Sequence, residues 1–482
     1  MDVVPACPGC RERDRKIALL EQRLADRERQ FARLEQRLAE LERRLEEKER
    51  ASKRQAAPFS KGTPKPQPKK PGRKSGQQHG QHVHRPPPPP EAIDEVLEAP
   101  LPEACPHCGG HILEDDDVDE QFQTDIPTQP VRRKFRVHKG RCQSCQRRVR
   151  GRHPLQTSDA TGAAQSQLGP NVQASIVYLN KRAGMAYGKI TDYFREANGL
   201  VFQPSTATRI VLRAADKLEP VYQDIQSSLK TSNGIVPDET GWRIGGYPVW
   251  LHTWVGDRAT CYAIDPHRSA DALEKVIGLD YSGFMTHDGF ASYDRFVKAL
   301  HQGCLDHVLR RAHHLEETQT GRHRLFPRQV INLCGEAFAL RHDYRVGRAD
   351  RDDLTNGYGD LGLRLRQLTA RPRTSEVNDV FARHLHRYWD TWFVFLLDPD
   401  CIPASNYQAE QALRTPIANR KVFGGNRTDA GADAQAILCS TIQTCKQQQR
   451  SPFTFLRDAV CGLAQSIFQL VAPSHPKPAT TY

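Results

Sequence analysis

The sequence predicts a multidomain chain: an N-terminal coiled coil, a zinc-ribbon-like module and a helix-turn-helix-like region precede an α/β core that carries a helical insertion. Three observations predict it. Apolar residues recur at heptad spacing over 16–50, two Cys-x-x-Cys pairs flank a short β-like stretch, and from Gly234 the pattern changes to runs of strand character. At 482 residues the chain can hold several domains and bury at least one full core.

The N-terminal unit, 1–50, holds Ile17, Leu24, Phe31, Leu38 and Leu45 at one heptad position and Leu20, Leu34 and Leu41 at the other. Such a seam joins chains into a homo-oligomer, with Arg27 and Lys48 weakening it; the alternative is a single solvated helix. The unit 51–100 follows. From Ser52 to Pro90 it contains no Asp or Glu while Lys65, Lys69, Lys70, Arg73 and Lys74 recur among Pro, Gly and Gln. That composition buries too little to fold, but its cations can hold DNA through counterion release. The run Pro86 to Pro90 is a stiff spacer. His79, His82 and His84 read as part of a solvated basic tail rather than as ligands.

In the unit 101–153, Cys105-Pro-His-Cys108 and Cys142-Gln-Ser-Cys145 make a four-thiolate set for structural Zn²⁺, which leaves no open position for catalysis. Between them Val131 to His138 alternates as a strand, with Phe135 and Val137 inward and Lys134, Arg136 and His138 outward toward phosphates. The pair Cys7 and Cys10 either completes a site across a dimer or binds nothing. The unit 154–230 reads as helical. A helix Tyr187 to Ala197, a turn at Asn198-Gly199, and a second helix Ser205 to Leu218 opening on a Ser cap make either a helix-turn-helix or an all-α connector. In the first case Arg209 and Arg213 face DNA.

The unit 231–425 is the α/β core. Strands run from Gly234 through Trp242, over Val249 to Val255 and over Ala259 to Ile264, then a helix Ser269 to Ile277 leads to a strand ending at Asp288. Strands, a helix, then another strand is the order of a ribonuclease-H-like core. Helices between about 306 and 398 form an insertion. The unit 426–482 closes the chain with helices Ala430 to Gln447 and Pro452 to Gln469.

The formal charge of +12 points to a polyanionic partner, with nucleic acid first. No run of about 18 apolar residues spans a membrane. The opening residues lack signal-peptide character, and thirteen cysteines, an odd number, favour reduced thiols and metal sites over disulfides. The expected location is the cytoplasm.

Three acids carry the chemistry. Asp238 closes Gly234-Ile-Val-Pro, Asp288 closes Phe284-Met-Thr-His, and Glu410 lies in the first turns of a later helix. Two acids at the ends of neighbouring strands and one on a helix can share a pair of Mg²⁺ or Mn²⁺ ions, the arrangement that in-line attack on a phosphodiester requires. Asp238 would bridge both ions. Against this, a lone Asp at a strand end commonly caps a turn, and Glu410 commonly pairs with Arg414 one helical turn on. Arg414, Arg420 and Lys421 are placed to grip the DNA backbone. Cys304 and His307 either bind zinc with the nearby His313 and His314 or pack beside the acids.

Several motifs together resemble one family. These are Asp238-Glu-Thr, Trp250-Leu-His-Thr, Asp288-Gly with Tyr293, Cys304-Leu-Asp-His307 with Arg310-Arg311, Asn406-x-x-x-Glu410-x-Ala-Leu-Arg, and Arg420-Lys421-Val-Phe-Gly-Gly with Gly431-Ala. With the N-terminal order of coil, basic linker and knuckles, they are similar to the insertion-sequence-sixty-six family of bacterial DDE transposases. The resemblance implies a ribonuclease-H-like domain with DDE chemistry on Asp238, Asp288 and Glu410. It also implies element ends and target DNA as partners, and small accessory transposition proteins as helpers. Gln411, Tyr407 and Asp306 depart from the family's pattern. A catalytically silent DNA binder, or a nuclease that cuts without joining, is the alternative.

Overall fold

The computed structural model describes residues 167–463 and 466–468, 129–159, and shorter pieces within 20–37, 87–97, 107–111 and 120–126 together with residue 102. Most of the heptad segment, the basic linker, Cys7, Cys10 and Cys105 lie outside the described residues. Leu20, Leu24 and Leu34 are described, helical and exposed.

Two short strands, β1 (Lys139–Arg141) and β2 (Arg148–Arg150), pair antiparallel with the second Cys-x-x-Cys at their turn. The expected strand over 131–138 does not form. A strand needs a paired neighbour, and pairing begins only at Lys139↔Arg150, the end of the hairpin away from its turn.

Three helices follow: α1 (Pro170–Lys181), α2 (Tyr187–Asn198) and α3 (Pro204–Lys230). Gly199, at φ 62°, ends α2 in the left-handed conformation that favours glycine. The Ser cap expected for α3 is not the start. Pro204 takes the first helical position after Gln203, and the helix runs well beyond Leu218 to Lys230. Apolar residues spaced from Ala207 to Leu229 bury one whole side of it, which holds the extra turns in place.

The central sheet has the order β5-β4-β3-β6-β7. β3 (Gly234–Ile244), β4 (Tyr247–Gly256) and β5 (Thr260–Asp265) form an antiparallel meander, while β6 (Phe284–His287) and β7 (Leu300–Gly303) run parallel to β3. The short helix α4 (Asp271–Ile277) links the two halves. β7 escaped sequence reasoning because four residues ending in Gln-Gly carry almost no apolar alternation.

Alternation along β3 assigns its faces. Ile235 joins the core built with α1 to α4, whereas Val236 and Trp242 pack with Ala409, Ala412 and Leu413 on the opposite side. Those last three belong to α9 (Tyr407–Phe423). Before it come α5 (Leu305–Thr318), α6 (Leu325–Arg345), α7 (Arg351–Thr369) and α8 (Glu376–Arg387), an insertion with a hydrophobic core of its own around Trp392, Phe393 and Phe395. α10 (Asp429–Gln447) lies along the edge strand β5, and α11 (Pro452–Val460) closes the described fold. α11 stops short of Gln469, since Gly462 at φ 74° turns the chain.

Candidate active site

The acids converge because of register. β3 and β6 pair in parallel as Gly234↔Phe284 and Ile235↔Met285. Asp238 lies three residues beyond that pairing on β3, and Asp288 directly follows the last residue of β6, so both acids lie beyond the same end of the paired segment. Asp238 shares the face of Val236 and Trp242, the face that α9 covers, and Glu410 stands in the first turn of α9. Burial pushes the Asp238 carboxyl up from 3.8 to about 7, and the charges of Glu239, Asp288 and Glu410 push the same way. Three neighbouring carboxylates therefore bear on Asp238.

Each aspartate spends one oxygen locally. Asp238 Oδ1 accepts the Glu239 N–H at 2.9 Å, and Asp288 Oδ1 accepts the Phe290 N–H at 3.0 Å. The other oxygens remain for a ligand. Gly289, at φ 88°, makes the tight turn after Asp288. Glu410 does not pair with Arg414. Its Oε1 lies 3.8 Å from His307 Nε2 and 3.9 Å from Arg310 Nη2, both on α5, while Arg414 stacks over the Tyr407 ring at 5.7 Å.

Two ends anchor the helix that carries Glu410. At its start the Asn406 N–H donates to Cys304 Sγ at 3.4 Å, and the Leu305 N–H donates to Ala404 O at 2.9 Å. Cys304 is fully buried, so its sulfur staples α5 to α9, which favours packing over zinc for the Cys304/His307 element. At the far end Trp242 Nε1 donates to Asn426 Oδ1 at 2.7 Å, and the Asn426 N–H donates to Arg243 O at 2.9 Å. Gly425 permits this hook, because a Cβ there would come within 2.5 Å of Arg243 O.

Sequence reasoning missed the supporting set. The Glu239 side chain, only 2% exposed, takes Arg268 Nε at 2.8 Å and the Tyr293 hydroxyl at 2.9 Å. Arg268 is held between the Trp250 and Phe290 rings, at 5.1 and 4.4 Å. Glu239 follows Asp238 and Phe290 follows the Asp288 turn, so one guanidinium ties both acidic segments together. The adjacency of Glu239 to Asp238 and the Asp288-Gly…Tyr293 spacing were the signals available. The insertion also reaches this turn, with the Tyr388 hydroxyl donating to Asp294 at 2.9 Å.

Asp238, Asp288 and Glu410 offer only oxygen donors, the set that hard divalent cations prefer, and the uncompensated charge behind the raised Asp238 is what such ions would relieve. As the chain stands, no three His, Cys, Asp or Glu side chains among the described residues enclose an ion. Arg420 Nη1 donates to Thr240 at 3.3 Å and is half-buried beside the acids' face, while Arg414, Lys421, Arg209 and Arg213 are exposed. In the hairpin, the backbone N–H groups of Cys145 and Ser144 hold the Cys142 thiol below its ordinary value. Cys108 and Cys145 are exposed and free.

A family model described as the transposase IS66 family matches residues 165–434. That span takes in the whole sheet, the insertion and α9. No curated protein matches the chain. No helix among the described residues is long and apolar enough to cross a membrane.

Proposed function

The chain belongs to the IS66 family of transposases, whose partner is DNA, and on that premise we propose that it nicks the ends of an insertion sequence and joins them to target DNA through a DDE triad on a ribonuclease-H-like core. The observation that carries this reading is the placement of the acids: Asp238 on the β3 face that α9 covers, Asp288 directly after the neighbouring parallel strand β6, and Glu410 in the first turn of α9. In this reading Asp238, Asp288 and Glu410 would together hold the magnesium ions. Such ions, when bound, supply the Lewis acidity that lets a water or a 3′ hydroxyl approach a phosphate anion. The chain's residues do the rest. Glu239, Arg268 and Tyr293 hold the two aspartate segments in mutual position, and α9 carries Glu410 as a unit pinned at both ends. Arg414, Arg420 and Lys421 hold the DNA backbone beside the acids, and Arg209 and Arg213 meet DNA from α3.

The N-terminal units complete the proposal. Cys105, Cys108, Cys142 and Cys145 hold a structural zinc, supported by the N–H donors that lower the Cys142 thiol. The heptads join copies of the chain into an oligomer acting in the cytoplasm, with accessory transposition proteins as helpers. The test is a strand-transfer assay with labelled element ends and Mg²⁺, comparing the parent with Asp238→Asn, Asp288→Asn and Glu410→Gln. Each variant should lose nicked and joined product while retaining DNA. Unchanged transfer in any one removes that residue from the triad. Binding without nicking by the parent favours a silent DNA binder, and nicks without joining favour a plain nuclease.

A further inference from the structure

Two imidazoles stand behind the Asp288 turn, and the chemistry above uses neither. His287 is the last residue of β6 and is buried; His301 lies on the neighbouring β7. His287 Nε2 is 3.0 Å from His301 Nδ1. His301 Nε2 is 3.0 Å from the Phe296 carbonyl oxygen, and the Gly289 N–H points to His287 Nδ1 at 3.1 Å.

The two ends of this row fix its protons. A carbonyl oxygen only accepts, so His301 carries its hydrogen on Nε2, and its Nδ1 is an acceptor. A backbone N–H only donates, so His287 Nδ1 is an acceptor, and its hydrogen sits on Nε2, aimed at His301. Each ring has both nitrogens engaged. No other placement of protons makes all three bonds.

We propose that His287 and His301 are positioning residues: a tautomer-locked relay from the Phe296 carbonyl to the Gly289 amide that holds the Asp288 carboxylate in its productive orientation. The proposal rests on the reading of Asp288 as a member of the triad. The Gly289 N–H belongs to the peptide that follows Asp288, so its acceptor sets the rotation of that peptide and hence the direction of the side chain. Without an acceptor, the partly buried N–H is free to swing toward another partner, and the carboxylate moves with it.

The test uses the full chain and two pairs of variants. His287→Asn puts an amide oxygen where Nδ1 stands and keeps an acceptor for Gly289, whereas His287→Leu keeps bulk alone. His301→Gln keeps a donor and an acceptor; His301→Leu keeps neither. Outer residues that orient metal ligands typically change metal affinity or activity by about 10- to 100-fold. The Leu variants should accordingly need about tenfold more Mg²⁺ for half-maximal nicking, with DNA retention unchanged and the Asn and Gln variants closer to the parent. Equal Mg²⁺ requirements for Leu and Asn at position 287 would overturn the relay, leaving a packing role. ¹⁵N NMR of histidine-labelled protein, with His287→Asn and His301→Gln spectra assigning the signals, gives a readout free of activity. Both rings should show a protonated Nε2 and a bare Nδ1. A proton on His287 Nδ1 overturns the relay whatever the assay gives, whereas full transfer by Asp288→Asn overturns the catalytic reading and leaves the tautomers standing.

Discussion

Asp238 illustrates how a single side chain carries a cost for its position. Its carboxyl is raised from 3.8 to about 7, so the folded chain keeps a proton that the unfolded chain has already lost across that interval. Its contribution to stability therefore falls as pH rises from about 4 to about 7, and the full penalty, on the order of 4 kcal/mol, stands above that window. Asp238→Asn should melt higher than the parent at pH 8 without divalent ions, and the gap should close below pH 4. Mg²⁺ should raise the parent's melting temperature and leave the variant's nearly unmoved, since binding to the native state stabilises only where the ligand's contacts exist. A variant no more stable than the parent at pH 8 would show that the buried Asp238 carboxylate carries no such cost. At the same scale, Tyr407 and Gln411 sit beside Arg414, whose guanidinium stacks on the Tyr407 ring.

Among the elements, α10 solves the problem of an exposed sheet edge. β5 is the last strand on its side, and its outward backbone groups would otherwise face water or another strand. Ser440 Oγ accepts the Tyr262 N–H at 2.8 Å, and Thr444 Oγ1 both accepts the Thr260 N–H and donates to the Thr260 carbonyl, each at 3.1 Å. Residues 440 and 444 are one helical turn apart and 260 and 262 are two along a strand, so both pairs meet on facing sides. A helix with hydroxyls at that spacing serves as a sixth strand's substitute. Ser440→Ala and Thr444→Val should each cost about 1–3 kcal/mol in urea unfolding, because each strands a buried N–H. No loss in either variant would show that the edge is hydrated instead. Sequence reasoning predicted α10 from its apolar spacing but could not see what its hydroxyls are for, since their partners lie some 180 positions away.

At the scale of the whole molecule, the order of units places a basic, cysteine-bearing hairpin ahead of the α/β core. The full-length chain should carry about one zinc per copy. Replacing Cys142 or Cys145 by Ser should release it and weaken DNA retention, while the melting of the α/β core stays where it was. Zinc retained by Cys142→Ser would remove that cysteine from the set. How far the fold was legible depends on where each signal resides. The meander from Gly234, the helix before β6, the helical insertion and α9 were all readable, because each is long enough for its apolar period to stand out. β7, the true start of α3 and the absence of a strand over 131–138 were not, because a four-residue strand has no period and a strand forms only where a neighbour pairs with it.

The sequence by itself determined the family's motifs, the three acids and the helices and strands that carry them, since these follow from local spacing and residue chemistry. Tertiary structure alone decided that Asp288 and Glu410 come near enough to Asp238 for their charges to bear on it and that Glu410 turns toward Arg310 rather than Arg414. It also decided that Glu239 takes Arg268 and Tyr293 as partners and that His287 meets His301 across the strands. The reason is physical: strand register and face are set by pairing between segments distant in the chain, and a hydrogen bond's partner is a fact about space, not about neighbouring letters.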